Sequence, residues 1–189
     1  PLSVAYSAID KLDFHKDSRL VILGAGSIGL LMGVLMQVLY PEVNVHLVDI
    51  YESKRDMGER LHMKKEQFLI GDTYDLQLMK PFTHIIDTTG NSKVVKRFLQ
   101  HSILGAVLLE IGVSDHPLDI SFKEIVYQGL RIIGSYRYTN TYPKLLKLFR
   151  EQRLHVCDII TGSYPIEAAQ TAFEQALDGR HHSKIAIYL

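Results

Sequence analysis

The sequence predicts an α/β chain: a doubly wound sheet of six parallel strands, followed by a strand–helix–strand tail. Three observations predict it. Short β-rich runs alternate with helical patterns as far as Tyr136. The runs "VILG", "HIID" and "VLLE" are apolar without alternation, as strands covered on both faces are. A turn of pattern G-x-G-x-x-G, "GAGSIG" at 24–29, joins the first strand to a long apolar helix pattern. Right-handed crossovers then favour the strand order 3-2-1-4-5-6.

Residues 1–17 read as a connector that includes the end of a helix. "RLVILGAG" (19–26) is a buried strand with a glycine turn, and residues 27–39 are a helix that Pro41 stops. "VNVHLVDI" (43–50) is the second strand. "ESKRDMGERLHM" (52–63) places Met57 and Leu61 four apart on one helical face. "QFLIG" is a short third strand, and "THIIDTTG" (83–90) a fourth, with a helix from Ser92 to His101. "GAVLLEIGV" (105–113) is the fifth, "SFKEIVYQGL" (121–130) a helix and "RIIGSY" (131–136) the sixth. Residues 18–136 thus form one domain. In 137–189, helices "YPKLLKLFREQ" and "IEAAQTAFEQAL" flank strands "CDIITGSYP" and "SKIAIYL". This tail adds little to a six-stranded sheet and reads as the edge of a second domain.

Composition narrows the function. At 189 residues the chain holds one well-buried domain, or one and part of another. Lys plus Arg equals Asp plus Glu, 21 against 21, so no global field attracts nucleic acid or an anionic membrane. The single cysteine, Cys157, makes neither an internal disulfide nor a multi-cysteine zinc site. "PLSVAYSAID" lacks the basic start and long apolar core of a secretory signal, so a cytoplasmic location is expected. The run from Leu20 to Tyr40 carries no charge and is long enough to cross a bilayer, but Gly24, Gly26 and Gly29 interrupt it as a helix. No membrane span is expected.

The glycine turn has a mechanism. Gly24 permits a tight turn, Gly26 lets the backbone approach a pyrophosphate, and Gly29 lets helix and strand pack closely. Ser27 and Ile28 open the helix, whose free N–H groups and partial positive charge suit an anion. Asp49 ends the second strand twenty residues past Gly29, where a carboxylate accepts from the two hydroxyls of an adenosine ribose. The 2′-phosphate of NADP would lie against that carboxylate, so NAD is the expected cofactor. Lys54 and Arg55 work the other way if they face the ribose; a solvated helix face is their alternative. Thr88, Thr89 and Gly90 end the fourth strand on the same edge, as a turn or as part of the site. Adjacent His181 and His182 read as solvated. No Tyr-x-x-x-Lys pair occurs, which argues against the short-chain reductases.

Four stretches carry a family resemblance: "PLSVAYSAI", "VILGAGSIGLL", "GSYRYTNTYP" and "YPIEAAQTAFEQALDGRHHSKIAI". Through them nearly the whole chain resembles medium-chain dehydrogenase/reductases, and among these the zinc-dependent, sorbitol-type polyol dehydrogenases. The resemblance implies a Rossmann cofactor domain. Ile28 would sit by the pyrophosphate and Asp49 by the ribose with Lys54, while Ile111, Gly112 and Val113 would line the nicotinamide side. It implies that Tyr136, Arg137 and Tyr138 lie where cofactor and substrate meet, with Arg137 and Tyr138 touching the polyol. It further implies zinc, held by an N-terminal catalytic domain outside this chain, and a homo-oligomer formed through the sixth-strand edge. The expected function is the cofactor-binding portion of an NAD-dependent polyol dehydrogenase, inactive alone. A stand-alone NAD-binding module and a sugar-phosphate reductase of the same zinc family are the alternatives.

Overall fold

Alternate residues of the central strands bury into two separate cores. The structure, a computed structural model, describes residues 1–71 and 74–189. In β1 (Arg19–Leu23), Leu20 and Ile22 join one core and Val21 and Leu23 the other, all fully buried. β4 (Phe82–Asp87) divides in the same way, with Ile86 on the first side and Ile85 on the second. Period-two side chains on a sheet covered on both faces produce this division. Before β1, α1 (Leu2–Ile9) packs on α2 (Ser27–Leu39), and together they cover the first face. On the second face, α4 (Ser92–Leu99) contributes Val95, Phe98 and Leu99.

All six strands of the main sheet are parallel, in the order β3-β2-β1-β4-β5-β6. The remaining strands are β2 (Asn44–Asp49), β3 (Phe68–Ile70), β5 (Ser102–Glu110) and β6 (Arg131–Gly134). This is the doubly wound architecture and order expected from the alternation. α3 (Ser53–Arg60) buries Met57, and Leu61 just beyond it is also buried. α5 (Phe122–Gln128) starts with a capping box, Ser121 with Glu124, and ends at Gly129 with φ 60°.

Several boundaries differ from the sequence reading, three of them for a visible reason. β5 begins at Ser102 rather than Gly105, because the chain turns through Gly105 at φ 79° and the pairing with β4 shifts register there. α4 ends at Leu99, two residues early. β6 ends at Gly134; the Ser135 N–H still donates to Glu110 O at 2.8 Å, and then the chain leaves the sheet before Tyr136.

The tail continues with α6 (Tyr142–Arg150), whose Leu145 and Leu148 enter the first core beside α1 and α2. β7 (Ile160–Pro165), α7 (Ala169–Leu177) and β8 (Lys184–Tyr188) follow, and β7 and β8 form a separate two-stranded parallel sheet. No described helix is long and apolar enough to cross a membrane.

Candidate functional site

Strand order reverses between β1 and β4, and the register brings the strand ends level there. Leu23 faces Val48 on one side and Asp87 on the other. Such a crevice at the carboxyl ends of the strands is where open α/β sheets take ligands. A cavity of about 580 Å³ opens at this point. Gly24, Gly26 and Ser27 line it from the glycine turn, and Asp49, Ile50, Tyr51 and Lys54 from the end of β2 and α3. Thr89, Asn91, Val94 and Arg97 border it from α4 and the turn before it.

Each glycine has a distinct local cause. Gly24 sits at φ 95°, and a Cβ there would lie 2.6 Å from Thr88 Oγ1. A Cβ on Gly29 would lie 1.9 Å from Gly24 O, so the helix approaches the turn as closely as only glycine allows. Around Gly26 a Cβ would meet nothing within 4 Å. That open space lies at the start of α2, where no side chain caps the helix. Uncapped N–H groups beside an open cavity fit an anionic ligand such as a pyrophosphate.

The Asp49 carboxylate ties the strand end to the turn. Oδ2 accepts from Ala25 N at 2.8 Å, and Oδ1 accepts from Ile50 N at 2.8 Å and Tyr51 N at 3.1 Å. A carboxylate offers about four acceptor positions, so capacity remains for a ligand hydroxyl. Thr88 does not face the cavity. Its hydroxyl donates to Leu23 O at 2.8 Å, with Gly24 O at 3.3 Å, and braces the turn from behind, while Thr89 lines the cavity.

Lys54 is 3% exposed, and its Nζ reaches His182 O at 3.2 Å and Met57 Sδ at 3.7 Å. Burial lowers its pKa, against the opposing pull of Asp49 and Asp178. One carbonyl and one thioether are poor company for a buried ammonium, and the third side of the group is the cavity.

The predicted residues therefore divide. Gly24, Gly26, Ser27, Asp49 and Lys54 share one cavity; Gly29 and Thr88 support it from outside. Ile28 is half-buried against the first core. Ile111, Gly112 and Val113 follow β5 beyond the cavity: Ile111 N and Gly112 N each donate to Asp87 O at 3.0 Å, and Val113 is exposed. Tyr136, Arg137 and Tyr138 follow β6. The Arg137 guanidinium lies 5.0 Å from the Tyr136 ring centre, and Tyr138 and Tyr142 hydroxyls are 3.4 Å apart. Arg137 holds φ 56°, a left-handed conformation uncommon outside glycine.

Two groups escaped the sequence reading. Val94 and Arg97, three apart on α4, face the cavity, with the Arg97 guanidinium 5.1 Å from the Tyr74 ring. Their spacing is that of one helical face, a signal the sequence did contain. The second group is the turn before β8. Ser53 Oγ donates to Arg180 O at 2.6 Å, Lys54 to His182 O, and Ser27 Oγ to Ser183 O, so Gly179, His182 and Ser183 wall the cavity. His182 is accordingly not solvated: it bonds Gln175 and Thr161 at 3.0 and 3.2 Å, whereas His181 pairs with Asp178 at the surface. Among the described residues, no three His, Cys, Asp or Glu side chains are grouped to hold a metal ion.

No family model matches the chain. It is 24% identical to sorbitol dehydrogenase of Rattus norvegicus over 195 residues, covering 95% of this chain and 52% of that protein. It is 24% identical to L-arabinitol 4-dehydrogenase of Penicillium rubens over 197 residues, covering 93% and 50%. The chain spans about half the length of the curated relatives it matches. Among solved structures it superposes on an Escherichia coli alcohol dehydrogenase complexed with NADH, with a TM-score of 0.87 and 18% identity over 100% of this chain and 57% of that one. The first two similarities bear out the resemblance to polyol dehydrogenases, and the third bears out the fold.

Proposed function

We propose that this chain is the NAD-binding portion of a zinc-dependent polyol dehydrogenase, an enzyme that moves a hydride from a secondary alcohol to NAD. The observation that carries the reading is the cavity at the strand-order switch. There an uncapped helix start, the open space at Gly26, the fixed Asp49 carboxylate and the buried Lys54 ammonium converge. In this reading the α2 N–H groups and Gly26 take the pyrophosphate, and Asp49 and Lys54 take the adenosine ribose. Bound NAD supplies the hydride acceptor. The backbone of 111–113 lines the nicotinamide side, and Arg137 and Tyr138 meet the polyol. The left-handed Arg137 supports this role, since such backbone strain clusters at functional sites.

A zinc ion held elsewhere in the enzyme would supply Lewis-acid polarisation of the substrate hydroxyl. Its ligands are assigned to a catalytic domain outside the 189 residues, and the β7–β8 tail is assigned to the junction with that domain. The exposed edge of β6, with Phe122, Val126 and Tyr127 uncovered on α5, suits association with a second copy. The unpaired Cys157 and the balanced charge suit the cytoplasm.

The test is calorimetric titration of the chain with NADH and NADPH, beside an assay with sorbitol and NAD. The reading expects NADH to bind, NADPH to bind more weakly, and no polyol to be oxidised. Absence of NADH binding refutes the cofactor role, and sorbitol oxidation by these residues alone refutes the division of the site.

A further inference from the structure

A pair of carboxyl groups lies beside the cavity, and the function proposed above leaves it unused. Asp87 and Glu110 are the last residues of β4 and β5 and stand directly opposite each other in the register. Asp87 is fully buried. Its Oδ1 accepts from Thr89 N at 3.0 Å and Thr89 Oγ1 at 2.6 Å, and its Oδ2 from Gly90 N at 2.8 Å. Its backbone oxygen takes the N–H groups of Ile111 and Gly112. Gly112 packs so tightly here that a Cβ would lie 2.2 Å from Gly90 N and 2.8 Å from Asp87 Oδ2. One residue therefore joins the turn before α4 to the segment after β5. Glu110 faces this same Asp87 across the register and lines the same cavity with it. Since the Asp87 oxygens already accept from three donors, a bond between the two carboxyls needs its proton on Glu110.

We propose that Glu110 is a positioning residue, whose carboxyl bonds Asp87 and so holds the backbone of 111–113 in place for the nicotinamide half of the cofactor. The proposal rests on the reading that 111–113 lines the nicotinamide side. The surroundings favour the shared proton. The two carboxyls border a separate cavity of about 410 Å³, across α4 from the first. His116, from the loop after β5, is the other titratable group lining it; α4 presents Ser92 and Val95, α5 Ile125 and β6 Ile132. Burial first, and then the neighbouring Asp87 charge and hydrogen bond, push the Glu110 carboxyl up to about 8. Above that pH two carboxylates would face each other at the joint, and their repulsion would loosen the seating of Gly112.

The test is a calorimetric titration of the chain with NADH and, separately, with ADP-ribose, which lacks the nicotinamide, across about pH 6.5 to 9.5. The proposal expects NADH affinity to fall about tenfold through a midpoint near 8, with ADP-ribose flat over the same range. Glu110→Gln, whose amide donates to Asp87 at every pH, is expected to hold NADH affinity at the low-pH value throughout. A flat wild-type NADH profile overturns the proposal without any variant. A step that persists in Glu110→Gln, or appears equally with ADP-ribose, also overturns it. If neither ligand binds at any pH, the cofactor reading itself fails, an outcome distinct from tight binding of both ligands with flat profiles.

Discussion

Two glycines three residues apart are expected to respond to the same substitution in opposite ways. In Gly29→Ala the new Cβ would sit 1.9 Å from the Gly24 carbonyl oxygen and 3.0 Å from its carbon. That is about 1.5 Å inside ordinary contact, and both neighbours are backbone, so no rotamer relieves it. Overpacking of this kind costs about 1–3 kcal/mol, and an unyielding backbone places the cost at the upper end, about 3 kcal/mol. For a chain of this size that is a fall in Tm of about 6–12 °C. In Gly26→Ala the backbone is at φ −74°, which alanine adopts freely, and the Cβ meets nothing. The weaker N-cap and the reduced freedom of the unfolded chain oppose each other, so stability should stay within about 1 kcal/mol. The methyl group instead fills the space assigned to the pyrophosphate, and NADH affinity should fall at least about tenfold, or 1.4 kcal/mol. Thermal melting by circular dichroism and calorimetric NADH titration separate the two effects. A Gly26→Ala chain that binds NADH as the wild type does would refute the pyrophosphate placement. A Gly29→Ala chain with unchanged Tm would refute the close approach of helix and turn.

Asp49→Ser removes the acceptor of three backbone N–H groups as well as the group assigned to the ribose. It should lower stability by about 1–3 kcal/mol and shift the NADH/NADPH affinity ratio toward NADPH; an unchanged ratio counts against Asp49 as the selector. Lys54→Met keeps the buried stem and removes a charge that burial penalises, so Tm should hold or rise, while NADH affinity drops about tenfold; equal affinity would remove Lys54 from the site. Glu110 carries a raised pKa in the fold, so its proton stabilises the folded chain most at acid pH, and that stability is lost as pH rises through about 8. Glu110→Gln should therefore melt with the wild type near pH 5 and above it near pH 9, which a pH series of melting curves checks.

The parts of this molecule legible in the sequence are those fixed by local rules. Unbroken apolar runs marked β1, β4 and β5, because a strand covered on both faces has no polar side to display. The glycine spacing marked a turn whose φ at Gly24 and crowding at Gly29 only glycine tolerates. Asp49 was legible because strand length and crossover length together fix where the second strand ends. Strand ends were less legible, since β6 stops at Gly134 through loss of a neighbour rather than through any breaker residue.

What the sequence hid depends on contacts between distant segments. The sequence spacing said that Lys54 lies near Asp49, but not that the ammonium is buried under a turn more than a hundred residues later. It read 137–189 as material belonging elsewhere, yet Leu145 and Leu148 fill the first core, and the backbone of 180–183 takes hydrogen bonds from Ser27, Ser53 and Lys54. Two of those donors, Ser27 and Lys54, are also assigned to the cofactor. Each hydroxyl has one proton to give, so a phosphate oxygen at Ser27 Oγ would compete directly with the Ser183 carbonyl. In the proposed reading, cofactor affinity and the seating of the tail would be coupled through these shared donors, so that by linkage a change that loosens one would alter the other. The glycine turn is legible in its own sequence; how tightly it would hold the proposed phosphate would be set partly at the other end of the chain.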